Sequence, residues 1–190
     1  MDDVAELVRA ATAGDQRAWD GLVERFTGLV WSVARAHRLT TADAADVVQT
    51  TWLRLVEHLD TIRDPRRVGA WLATTARREA LRTLRTTGRE LPTDDEGDLR
   101  PTSMDTDAAD QPLLAAERDA LLWDVVESLT DQCRRLLRVL AADPPPTYQQ
   151  VAAALGMPVG SIGPTRARCL DRLRAAVARA GITLDLRDRP

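Results

Sequence analysis

Thr147-Tyr148-Gln149-Gln150-Val151-Ala152-Ala153-Ala154-Leu155-Gly156-Met157-Pro158-Val159-Gly160-Ser161-Ile162 is the stretch on which the fold turns. Thr147 and Gln150 have the spacing of a capping box, in which each side chain satisfies a backbone N–H left over at a helix start. Gly156 suits the left-handed residue that closes a helix, and a second helix begins within a few residues. Small Ala152 and Ala153 let two helices cross closely, while Val151, Leu155 and Ile162 supply the apolar contact between them. The pattern is a helix-turn-helix. In its second helix Ile162, Cys169, Leu173 and Ala176 share one face, and Ser161, Thr165, Arg168 and Arg172 share another at i, i+4, i+7 and i+11. Hydroxyls and guanidinium groups near the start of such a helix, here Ser161, Thr165, Arg166 and Arg168, are what base edges and phosphates of a DNA major groove require. The bland alternative is a short helical hairpin with a solvated Arg face. Pro164 removes a backbone donor and is harmless only in a first turn, so the helix starts near Pro158 or, to shelter the proline, near Ser161.

The same periodicity runs through the rest of the 190 residues, with no convincing strand alternation. Val4, Leu7, Val8 and Ala11 form one stripe, which Gly14-Asp15 breaks, with Asp15 placed as a helix N-cap. Trp19, Leu22, Val23 and Phe26, continued by Val30 and Val33, form the next. Val48, Trp52, Leu55 and Leu59 form a third, ended at Asp64-Pro65 because the residue before proline disfavours the helical region. A fourth helix is predicted from about Val68 to Thr87, closed by Gly88. Residues 91–112 hold three prolines and seven acidic residues and cannot bury enough surface to fold alone. Helical pattern resumes at about Leu113, with Leu122, Val125 and Leu129, then Cys133, Leu136, Leu137 and Leu140, before Pro144-Pro145-Pro146 forces an extended stop. The expectation is all-α: two small, separate helical domains at 1–90 and 113–180, an acidic flexible linker at 91–112 and a short tail at 181–190.

Composition removes several function classes. Charged residues are 29% and hydrophobic ones 44%, ordinary for a globular chain, and no apolar run approaches the roughly 18 residues of a membrane span. Met1-Asp2-Asp3-Val4 leads straight into a helical pattern, unlike a secretory signal peptide, so a cytoplasmic location is expected. Cys133 and Cys169 lie 36 residues apart with no His or Cys cluster around them, so neither a disulfide framework nor a metal site is predicted, and His37 and His58 read as packing or surface residues. No cofactor is expected. No nucleophile–base arrangement or phosphate-binding glycine loop marks an enzyme. All 26 basic residues are Arg, and the net charge of −3 conceals blocks: residues 61–90 hold eight Arg against three acids. Within them Arg78, Arg82, Arg85 and Arg89 stand at i, i+4, i+7 and i+11, a positive stripe suited to a polyanion or to solvent alone. Trp71, about two turns earlier, is either core or a platform for a stacked base.

Taken together these motifs resemble a bacterial RNA polymerase sigma factor of the extracytoplasmic-function group, over nearly the whole chain. Asp43-Ala44-Ala45-Asp46-Val47-Val48-Gln49-Thr50-Thr51-Trp52-Leu53 is similar to the family's polymerase-binding helix, Asp-Ala-Glu-Asp-Leu-Val-Gln-Glu-Thr-Phe-Leu. Trp71 to Arg85 resembles the helix that opens and reads the minus-10 promoter element, and the helix-turn-helix resembles the domain that reads the minus-35 element. The resemblance implies that Asp46, Gln49, Thr50 and Arg54 dock on a coiled coil of the polymerase clamp. It further implies that Arg63, Arg66, Arg67, Trp71, Arg78, Arg82 and Arg85 contact minus-10 DNA. Ser161, Thr165, Arg166, Arg168 and Arg172 then contact minus-35 DNA. Core RNA polymerase, promoter DNA and an anti-sigma factor are the implied partners, and the linker either threads the polymerase cleft or is a passive spacer. Two departures stand out: Arg78 occupies a helix where relatives often carry Asn, and Gly163-Pro164-Thr165 replaces a Lys/Arg-Ser-Arg type of run, leaving Arg168 as the best-supported minus-35 contact. A stand-alone helix-turn-helix regulator, which would not need the polymerase-docking helix, is the competing reading.

Overall fold

Helix ends in the chain follow the capping chemistry of its sequence. The structure, a computed structural model, describes residues 3–87, 125–126 and 128–181. Helix α1 spans Val4–Thr12, α2 Gln16–Arg35, α3 Thr41–His58 and α4 Val68–Thr86; after the linker α5 spans Asp131–Leu140, α6 Tyr148–Leu155 and α7 Val159–Arg179. Two 3-10 turns, Leu59–Thr61 and Pro65–Arg67, lead from α3 into α4, and no strand occurs among the described residues. The Asp15 carboxylate accepts from the N–H groups of Arg17 and Ala18, as its placement predicts. Asp3 and Thr40 cap α1 and α3 in the same way, each such cap being worth about 1 kcal/mol. The linker at 91–112, Gly88, Arg89, Leu113, Leu122 and most of the tail lie outside the described residues.

Helices α1 to α4 enclose a core in which Leu22, Val30, Val33, Leu55 and Leu72 have no exposed surface. Burying a leucine of this kind contributes about 2 kcal/mol. The inward face of α3 is rotated from the predicted stripe: Ala44, Val47, Thr51 and Leu55 are buried, while Val48 and Trp52 are half-buried at its edge. Thr51 can lie inside because its hydroxyl donates to the Val47 carbonyl at 2.7 Å. Trp52 instead meets Trp19 of α2 edge to face, ring centroids 6.2 Å apart.

Patterning predicts two separate bundles, whereas the described helices on both sides of the linker share one apolar cluster. The reason lies in α6, where Val151, Ala152 and Ala154 are all buried in an eight-residue helix. Too many sides of it are covered for α5 and α7 alone to bury them, and α4 packs on the remainder. Periodicity marks a buried face but not the neighbour that buries it.

One further expectation is corrected, and one open alternative is decided. Cys133 of α5 and Cys169 of α7 form a disulfide, Cα atoms 5.3 Å apart; wide separation in sequence carries no information about residues that two packed helices bring face to face. Helix α7 starts at Val159, with Pro158 as its N-cap, so Pro164 lies inside the helix rather than in its first turn. Pro158, at φ −62° and ψ 138°, is the extended residue from which the helix departs.

Candidate functional site

Three surfaces gather the predicted residues. On α3, Asp46 and Gln49 are exposed and Thr50 and Arg54 half-buried. Leu53 and Val56 stand on the same outward ridge, at i+4 and i+7 from Gln49, and are 56% and 61% exposed. Sequence reasoning missed these two because they fall off the inward stripe; the signal available was that large apolar residues sit where a solvated face should be polar. Arg54 is not free: its guanidinium lies 3.3 Å from Glu57 and 3.9 Å from Glu79 of α4.

The second surface runs from the Pro65–Arg67 turn along α4, about 27 Å at 1.5 Å per residue. Arg63, Arg66, Arg67, Arg78, Arg82 and Arg85 are all exposed. The Asp64 carboxylate accepts from the Arg66 N–H and fixes the turn that presents the first three. Glu79 pairs with Arg82 at 3.8 Å as well as with Arg54, whereas Arg78 makes no ion pair among the described residues. Trp71 is half-buried against the core, its ring centroid 6.3 Å from that of His58. It packs against the core and is only partly accessible.

The helix-turn-helix has the predicted local chemistry. The Thr147 hydroxyl accepts from the Gln150 N–H at 3.3 Å, and the Gln150 side-chain oxygen accepts from the Thr147 N–H at 2.7 Å. Gly156 closes α6 at φ +67°. On α7 Arg166, Arg168 and Arg172 are exposed and Ser161 is half-buried, its hydroxyl donating to the Pro158 carbonyl. Thr165 is a correction: it is 6% exposed. Three residues after Ile162 and four before Cys169, it belongs to the packing face, where its hydroxyl accepts from the Arg168 guanidinium at 3.2 Å. It positions Arg168 rather than reaching a groove itself. Arg172 points its guanidinium to within 3.9 Å of Cys133 Sγ, and Arg166 lies 3.5 Å from the Tyr148 hydroxyl.

His37, beyond the end of α2, is buried with both ring nitrogens unpartnered. Burial first, then the guanidinium groups of Arg135 and Arg77, push its pKa from 6.5 down to about 4, against an opposing pull from Asp131. The ring is therefore neutral at pH 7. No group of three or more His, Cys, Asp or Glu is placed to hold a metal among the described residues, and none of their helices is long and apolar enough to cross a membrane.

Comparison with known proteins adds the following. Residues 22–90 match the family profile of sigma-70 region 2. The ECF RNA polymerase sigma-E factor of Escherichia coli (strain K12) is 26% identical over 163 residues, which cover 82% of this chain and 84% of that one. The protein of the same name from Haemophilus influenzae is 22% identical over 163 residues, covering 82% and 85%. Among solved structures, CnrH in complex with the cytosolic domain of CnrY superposes with a TM-score of 0.61 at 23% identity, covering 94% of this chain and 99% of that one. The sigma factor RpoE in complex with the anti-sigma factor NepR from Bartonella quintana gives 0.53 at 19%, covering 84% and 97%.

Proposed function

The chain belongs to the extracytoplasmic-function group of RNA polymerase sigma factors, and from that premise we propose how its surfaces divide the work of initiation. It is a non-catalytic specificity subunit that binds core RNA polymerase, directs it to promoters and helps to melt them. Residues 1–90 act as region 2 and residues 113–180 as region 4, with 91–112 as the tether.

The α3 ridge docks on polymerase through Asp46, Gln49, Thr50 and Arg54, with Leu53 and Val56 supplying apolar contact. Arg63, Arg66, Arg67, Arg78, Arg82 and Arg85 hold phosphates of the minus-10 strand, and the partly accessible Trp71 borders that path. Phosphate contacts of this kind set register and affinity, while base edges set sequence. At minus-35, Arg168 is the base-reading residue, held by Thr165, with Arg166, Arg172 and Ser161 around it. Polymerase and its promoter place the chain in the cytoplasm. There a disulfide survives only where reductants cannot reach it, and Cys133 and Cys169 are 2% and 1% exposed. One solved structure cited above is of a sigma factor bound to an anti-sigma factor, and the other is of a complex with the cytosolic domain of CnrY; we assign this chain an anti-sigma partner of its own.

The observation that carries this reading is the pairing, in one chain, of an Arg-lined α4 with a capped helix-turn-helix whose second helix exposes Arg166, Arg168 and Arg172. The test is transcription in vitro with purified core polymerase. Promoter-dependent initiation is expected, and Asp46→Ala combined with Gln49→Ala should weaken core binding. Absence of initiation on any promoter of a genomic library rejects the function; undiminished core binding by the double variant rejects the docking ridge.

A further inference from the structure

The end of α2 and the first turn of α5 gather arginines around a single acid. The Asp131 carboxylate serves three guanidinium groups at once: Arg38 Nε at 3.3 Å, Arg134 at 3.2 Å and Arg135 at 3.3 Å. Arg77 reaches in from α4 beside the end of α6, where a Cβ at Gly156 would stand 2.7 Å from its guanidinium, and it makes no ion pair among the described residues. One carboxylate against four cations leaves an excess of three positive charges. The groups are neither open to water nor sealed from it, with the Arg135 and Asp131 side chains 33% and 23% exposed, so solvent screens that excess only in part.

Two features mark the place as built. Arg38 holds φ +53°, a left-handed conformation that is strained for a residue with a side chain and persists where the surroundings impose it. His37, beside it, is 6% exposed, and neither of its ring nitrogens has a hydrogen-bond partner among the described residues. The charges that act on this ring are those of Arg135, Arg77 and Asp131, so it lies at the base of the same cluster. A neutral imidazole offers one donor and one acceptor, and burying both unused is unfavourable unless a polar group meets them.

We propose that this cluster binds a small anion that ends in a phosphate group, held by Arg38, Arg77 and Arg135 with the His37 N–H at its base. The chemistry selects the class. A terminal phosphate carries close to two negative charges near pH 7 and three free oxygens, each able to accept from a forked guanidinium. A guanidinium has five N–H donors; Arg38 turns its Nε to Asp131 and Arg135 one terminal nitrogen, which leaves donors for the phosphate while the carboxylate holds both groups in place. A phosphodiester inside a nucleic acid strand has a single charge, two free oxygens and a sugar on either side, and suits this half-buried setting poorly. None of these four arginines belongs to the polymerase, minus-10 or minus-35 sets assigned above, so the site is a separate one. It joins α2, α4 and α5, and its ligand should therefore stabilise the folded chain.

Binding is tested on the full chain without polymerase or promoter, so its failure and that of the promoter reading are separate results. The protein has two histidines, His37 and His58, and 15N-histidine labelling reads each ring by NMR. Inorganic phosphate, pyrophosphate, ATP and a DNA strand without terminal phosphates are titrated in turn at constant ionic strength. A saturable shift at His37 and not at His58 is expected with the phosphate-ended anions, together with a raised melting temperature. Equal affinity for pyrophosphate and ATP would mean that the phosphate end alone is read, and tighter binding of ATP would identify a nucleotide as the source. Arg38→Gln and Arg135→Gln should each weaken the affinity by about tenfold or more at equal helix content by circular dichroism, and Arg9→Gln, on α1, should not. Absence of a saturable His37 shift up to about 10 mM of all three phosphate-ended anions overturns the site. So does affinity undiminished in both glutamine variants, or equal binding of the DNA strand.

Discussion

His37 gives the prediction whose magnitude is best fixed by structure. Its folded pKa is about 4, against 6.5 for the unfolded chain. Above pH 7 the ring is neutral in both states and contributes no pH dependence. As pH falls through 6.5 the unfolded chain takes up a proton that the folded chain refuses, so stability declines with falling pH. At 1.36 kcal/mol per unit the loss reaches about 2 kcal/mol by pH 5 and about 3 kcal/mol by pH 4, below which the folded form protonates too and the loss levels off. Carboxylates titrate in the same range, so the measurement is a difference: urea unfolding of wild type and His37→Leu at intervals from pH 7.5 to 4. The leucine variant has no proton to take up and no unpartnered ring nitrogens. It should match or exceed wild type at pH 7.5 and outlast it by an additional 2 kcal/mol at pH 5. Curves for the two proteins that run parallel down to pH 4 would refute the burial argument.

Three more outcomes are expected. Breaking the Cys133–Cys169 bond by reduction, or Cys133→Ser, opens a loop of 36 residues and should cost about 3–4 kcal/mol; a melting temperature indifferent to reductant contradicts the cross-link. Arg168→Ala should cost about 1–3 kcal/mol of discrimination at minus-35 in competition binding, and an equal loss on every sequence would make it a phosphate contact instead. Leu53→Asp should weaken core polymerase binding by about 1–3 kcal/mol while leaving thermal stability within about 0.5 kcal/mol, since the side chain is exposed; unchanged affinity removes the apolar part of the ridge.

What the sequence made legible was local. Caps at Asp15 and Thr147, the glycine at 156 and the bounds of α4 are each decided by a few neighbouring residues, and each is where the chemistry of those residues places it. Thr165 was misread because a hydroxyl is compatible with either face of a helix, and only the positions of Ile162 and Cys169 beside it decide. The α3 stripe was displaced by one position for a related reason: Thr51 counts as polar in a pattern but satisfies itself on its own helix. The disulfide and the packing of α2 and α4 against the helices after the linker depend on residues far apart in the chain, and no periodicity connects Gly28 to Asp143 or Cys133 to Cys169.

The bond between α5 and α7 encloses the whole proline-rich loop and the helix that follows it. A protease that nicks the chain among the exposed residues Asp143 to Pro145 therefore releases nothing: the pieces migrate as one species on a non-reducing gel and part only when thiol is added. Cleavage there would leave the fragment bearing Arg168 attached to the one bearing Arg82.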